Sequence, residues 1–208
     1  MLFSGAVARA DGGDSMHYLR KADAAFTARQ IRVARVELMN ATDADPHNVL
    51  AWLYRAKVAL ALGRGVEADN ALNDAIRAGA RESATYHYRA HALLLEGKPD
   101  AALQMADASR IPWPWRAYGA RMRGRALAQL GNVHAAMAEF DAALAMTPRN
   151  PGLWEDIAQA KLTFGDRSGA IVAARRAVQL DPKRVSALVL NGMLVRAQYG
   201  LVAALPWF

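Results

Sequence analysis

The 208 residues include no cysteine, which excludes disulfides and thiolate metal sites outright. No secretory leader is expected in these residues either: the opening MLFSGAVARADGGD has neither a basic first segment nor an apolar core long enough to be one. Nothing reads as a transmembrane span. The most apolar stretch, residues 185–208, is broken by Asn191, Arg196 and Pro206. The chain as given is expected to be soluble, and the expected compartment is the cytoplasm, with the periplasm as the alternative should a signal or anchor lie outside these residues.

Catalytic fingerprints are absent as well. There is no G-x-S-x-G, no P-loop, no Rossmann glycine pattern, no H-E-x-x-H and no cysteine nucleophile. Adjacent acids such as Glu155 and Asp156 diverge on a helix and cannot face one substrate. Neither enzymatic activity nor a cofactor is expected. Blocks of one charge sign are also lacking. The net charge of +7 and a pI near 10.0 invite a nucleic-acid reading. The basic residues, however, are dispersed and interleaved with acids, so a solvated basic surface is expected instead.

What the sequence does have is a period of 34 residues. Gly63, Gly97, Gly131 and Gly165 keep that interval, and so do Ala34, Ala68, Ala102, Ala136, Ala170 and Ala204. Pro46, Pro114, Pro148 and Pro182 follow it with one step doubled. A fixed period of this size signals stacked structural repeats, and such arrays bind partners more often than they transform them. The register predicts an N-terminal tail 1–14, five units at 15–48, 49–82, 83–116, 117–150 and 151–184, and an incomplete sixth at 185–208. In the fifth unit, Leu153, Trp154, Ile157, Ala158 and Leu162 have helical spacing. Gly165-Asp166 breaks the helix, and a second apolar stripe runs through Ala170, Ile171, Ala174, Ala177, Val178 and Leu180. Asp181-Pro182 ends it. Each unit therefore reads as a helix–turn–helix hairpin, without the period-two alternation of strands.

These positions resemble the tetratricopeptide repeat (TPR) family. The early aromatic of the family pattern is Tyr18, Trp52, Tyr86 and Trp154, with Ala120 in its place once. The small residue of the first helix is Ala22, Ala56, Ala90, Gly124, Ala158 and Gly192. The A-x-x-x-F feature is literal in Ala136–Phe140 and Ala204–Phe208 and becomes Ala34–Leu38 and Ala68–Leu72 elsewhere. One departure is Lys21, Arg55, Arg89 and Arg123 where the family has Leu, and these basic side chains should snorkel from the packed face. The resemblance implies an all-α, right-handed superhelical solenoid of TPR hairpins whose first helices line a groove for a partner peptide. It also leaves a second reading, the regulatory or substrate-docking region of a longer enzyme such as a transferase.

Helical phase places Leu19, Arg20, Asp23, Leu53, Met122, Glu155, Asp156 and Gln159 along that groove, with a basic, aromatic centre of Tyr54, Lys57, His87, Tyr88, His91, Tyr118, Arg121 and Arg125. Arg forks suit carboxylates, so the expected partner is a protein or peptide with an acidic or C-terminal carboxylate segment. The Leu19, Asp23 and Tyr54 set does not fit the family's Lys/Asn clamp for chaperone tails. His87 and His91 stand i, i+4 but are too few to hold a metal, and none is expected. Trp52 and Trp154 are expected in the core. For Pro112-Trp113-Pro114-Trp115 the expectation is that one or both rings pack under the inter-unit loop, the other reading being an aromatic contact patch. Finally, Leu188, Leu190, Met193, Leu194, Val195, Leu201, Val202, Leu205, Trp207 and Phe208 are expected to lack a following unit that would cover them. Residues 185–208 are expected either to pair two copies or to lack order.

Overall fold

The computed structural model describes residues 12–207, and the chain divides into two compact units, residues 1–97 and 98–208. The first contains α1 (Gly12–Thr27), α2 (Ile31–Ala44), α3 (Val49–Ala61), α4 (Gly65–Arg77) and α5 (Tyr86–Leu95). The second contains α6 (Pro99–Met105), α7 (Arg116–Gln129), α8 (Val133–Met146), α9 (Pro151–Thr163), α10 (Arg167–Leu180), α11 (Val185–Tyr199) and α12 (Leu201–Ala204). No strand occurs among the described residues. The fold is an all-α run of helix–turn–helix hairpins. Within each unit a helix packs on the next in sequence, and first helices also meet one another: α1 with α3, α3 with α5, α7 with α9, α9 with α11.

The turn inside a hairpin needs a left-handed residue. Gly63, Gly97, Gly131 and Gly165 supply it with φ of 73°, 71°, 78° and 85°, where a Cβ would crowd the following carbonyl. The same register position in the first hairpin is Arg29, which adopts φ 62° without that licence. Side-chain caps then start several helices. Asn48, Asn132, Asn150 and Asp166 each accept from a backbone amide three residues on, at 3.1, 3.3, 3.3 and 2.8 Å.

Alanine dominates the core, letting helices approach closely; Ala22, Ala34, Ala41, Ala68, Ala136, Ala158 and Ala170 are all fully or almost fully buried. Size is balanced across the hairpins. In the first, Ala22 and Leu38 share one buried cluster. In the second unit Phe140 takes the Leu38 position and Gly124 takes that of Ala22. A Cβ on Gly124 would lie 2.6 Å from the Phe140 ring, so the larger ring fits only because its neighbour has no side chain.

Trp52 and Trp154 are half-buried ties rather than the core residues expected from the sequence. Each indole donates to the carbonyl of the proline six residues earlier, Pro46 at 2.8 Å and Pro148 at 3.0 Å. The ring packs by its apolar body while its N–H is satisfied by that carbonyl. The basic residues in place of Leu do snorkel. Arg55 reaches Thr42 Oγ1 at 3.1 Å and lies over the Trp52 ring, Arg89 donates to Asn73 at 2.7 Å, and Arg123 pairs with Glu139 at 2.7 Å. At the C-terminal end, Gly200 turns the chain with φ 85°, one residue beyond the glycine ladder. Pro206 limits the final helical segment to the four-residue α12 and a 3-10 turn, Leu205–Trp207. Ala204 is buried and Trp207 packs on the core, whereas Leu201, Val202 and Leu205 stay exposed. Phe208 and the tail 1–11 lie outside the described residues.

Candidate functional site

The expected groove residues fall on first helices, but the two units treat them differently. In the first, Tyr54 and Lys57 of α3 are half-buried beside α1. The Lys57 ammonium lies 4.7 Å from the Phe26 ring centroid and 5.1 Å from that of Tyr54. Burial, the negative charge of Asp23 and a hydrogen bond to that carboxylate raise the Tyr54 phenol above its ordinary range. Behind them the expectation fails for His87 and Tyr88. His87 is 1% exposed, its ring 4.0 Å from the Tyr88 ring, and Tyr88 is itself buried. Burial pushes His87 down to about 3 and Tyr88 up to about 12, with Tyr54 adding to the latter. His87 is thus a neutral core residue rather than a cation facing a groove. Its register equivalent in α1, Leu19, is buried too, against the groove placement expected of it. His91 is half-buried. No cluster of three or more potential metal ligands occurs among the described residues.

In the second unit, Tyr118, Arg121 and Arg125 share the face of α7, while Met122, placed by phase in the groove, is fully buried. Arg121 does not wait for a partner's carboxylate. Its Nε donates to Asp156 of α9 at 2.5 Å, and Gly152 makes room, since a Cβ there would lie 3.0 Å from the guanidinium nitrogens. Burial opposes the charge, but Asp156 more than offsets it and the Arg121 guanidinium is raised above its usual range. Arg125 lies 3.7 Å from the other Asp156 oxygen. The expected two-arginine clamp is therefore an internal bridge between α7 and α9. Glu155, beside Asp156, is taken up by Arg184 at 2.8 Å and Ser186 at 2.6 Å.

Farther along the same face the chemistry changes. Between α9 and α11 opens a groove of about 720 Å³, floored by Leu162, Leu190 and Leu194 and walled by Val185, Val189 and Met193. The last three form an i, i+4, i+8 stripe and are 71%, 42% and 60% exposed. Gln159 joins this groove to a smaller one of about 230 Å³ that Arg125 and Asp156 also line. At the rim stands Arg167, exposed and with no ion-pair partner among the described residues. Of its lining, the sequence pattern marks Leu190, Met193 and Leu194 as uncovered surface and Gln159 as a groove residue, and one ladder points to the change in chemistry. The positions Asp23, Lys57, His91, Arg125, Gln159 and Met193 are polar five times and apolar in the sixth.

A family model described as a tetratricopeptide repeat-like domain matches residues 10–164. The chain belongs to that family. Solved structures agree on the fold. TTC0263, a thermophilic TPR protein of Thermus thermophilus, superposes with a TM-score of 0.72 at 21% identity, over 87% of this chain and 98% of its own. PilW, a widely conserved type IV pilus biogenesis factor, gives 0.65 at 20%, over 93% and 90%. YrrB, a TPR protein with an unusual peptide-binding site, gives 0.50 at 18%, over 86% and 92%. No curated relative matches the sequence. No described helix is long and apolar enough to cross a membrane.

Proposed function

We propose that the chain is a protein–protein interaction scaffold that takes a partner segment across the first-helix face of its second unit. The observation that carries this reading is the α9–α11 groove with its exposed Val185–Val189–Met193 stripe. A contiguous apolar surface of this kind costs solubility unless something covers it. The partner's aliphatic side chains enter the groove, and its acidic residues lie toward Arg167 at the rim, which meets no carboxylate among the described residues. A TPR relative with a peptide-binding site makes a peptide-like segment the natural occupant. A second copy of this chain is the poorer one, because the two copies would bring like net charge together.

The test is to select peptides from a random display library on the intact protein and to measure their affinity for the Val189→Asp/Met193→Asp variant. The expected outcome is a consensus of aliphatic and acidic residues, with affinity reduced at least about tenfold in the variant. Equal affinity in a variant whose circular dichroism is unchanged would show that the groove is not the site.

A further inference from the structure

Half of one helix is missing, and the gap it leaves is a second apolar pocket. In the 34-residue register α6 corresponds to α8 and α10, each of 14 residues, yet it stops at Met105 after 7. Residues 106–112 continue as a loop. The Asp107 carboxylate holds that loop, accepting from the Ser109 amide at 2.7 Å and its hydroxyl at 2.5 Å. Ile111, 2% exposed, then plugs against Gly119, where a Cβ would meet its Cδ1 at 2.4 Å. Two turns of covering helix are lost. Ala120 of α7 and Ala142 and Met146 of α8 instead line, with Ile111 and Trp113, a pocket of about 230 Å³. It shares no residue with the α9–α11 groove.

The rim of this pocket carries the Trp-Pro-Trp turn. Trp113 is 73% exposed and Trp115 38%, so the rings do not pack under the loop as the sequence suggested. Pro112 enters the turn with φ −57° and ψ 149°, an extended geometry, and the Trp113 ring stands out in solvent beyond it. The Arg116 guanidinium lies 5.7 Å from the Trp113 ring centroid and meets no carboxylate among the described residues. At the far end Arg123 is already neutralised by Glu139. The uncompensated charge at the pocket is thus the Arg116 cation.

We propose that this pocket is a second docking site, for a segment of another protein that carries a bulky aliphatic side chain next to a carboxylate. The side chain fills the space between Ile111, Ala142 and Met146 and covers the Trp113 face, and the carboxylate takes the free edge of the Arg116 fork. Charge selects the occupant. Residues 98–208 hold 14 Lys and Arg against 8 Asp and Glu, so a second copy would bring further positive charge to Arg116. Exposed Trp and Arg side by side are also the residue types that dominate binding energy at interfaces.

The decisive experiment uses the intact protein carrying Val189→Asp/Met193→Asp, so that failure of the α9–α11 reading does not touch it. A random peptide display library is selected on this protein, and binding is read by titration. We expect a consensus of Leu, Ile or Met beside Asp or Glu, quenching of tryptophan fluorescence on binding, and at least tenfold weaker binding in both Trp113→Ala and Arg116→Glu. Both residues are exposed, so the melting temperature of each variant should match its parent. Three results would overturn the proposal: no enrichment over the unselected library, peptides without acidic residues, or affinity unchanged by either substitution. A dimer in sedimentation that Trp113→Ala disperses would also overturn it, by making a second copy the occupant.

Discussion

Residues 1–97 hold 12 Lys and Arg against 11 Asp and Glu, whereas residues 98–208 hold 14 against 8. The same hairpin serves both units, so the difference lies in what the first helices carry. In α3 and α5 the face is aromatic and partly closed, with His87 and Tyr88 withdrawn from solvent. In α9 and α11 it is open and apolar, with the Arg167 cation at its rim. Repeat architecture fixes the backbone and leaves these positions free to vary, so the proposed recognition surfaces fall in one stretch of the array rather than along all of it.

The largest effect that can sharpen this contrast is pH. His87 titrates at about 3 in the folded chain because of burial, against about 6.5 when exposed. Between these values the unfolded chain binds more protons than the folded one. The contribution is therefore complete above pH 6.5 and is lost as pH falls toward 3, at up to about 1.4 kcal/mol per pH unit. The variant His87→Leu, which copies Leu19 at the same register, should level out that component. Urea titrations at pH 7 and pH 5 compare the two. A wild-type loss on acidification no greater than that of the variant would mean that His87 is solvated.

A smaller effect tests the size balance. Gly124→Ala drives a Cβ into the Phe140 ring and should cost about 1–3 kcal/mol by overpacking. Adding Phe140→Leu recreates the Ala–Leu pair of the first hairpin, Ala22 with Leu38, and should recover most of it. The double-mutant cycle should show a coupling of about 1 kcal/mol or more, and additive losses would break the comparison. The smallest effect is expected at Arg29. Arg29→Gly gives the first hairpin the turn residue of the others and should raise stability by about 0.5–1 kcal/mol, since relief of the left-handed strain outweighs the added backbone entropy. Thermal melts detect a change of that size, and a loss of stability would mean that the Arg29 side chain matters more than its backbone.

The sequence by itself determined the hairpins, their register and their turns. The 34-residue ladders repeat because helix pitch, the left-handed turn and close helix approach each impose a residue type at a fixed spacing. Tertiary structure decided which first-helix positions are available. His87 and Leu19 stand where helical phase puts a groove residue, but that ladder lies at the edge of the packed stripe, and neighbouring helices close over it in the first unit and leave Val189 open in the second. Arg121 could not be recognised as internally bridged because Asp156 lies 35 residues away and reaches it only when α7 and α9 pack. The exposure of Trp113 depends on the early end of α6, where local propensity gave no stop and the cost of ordering two further turns was weighed against contacts that form only in the folded chain.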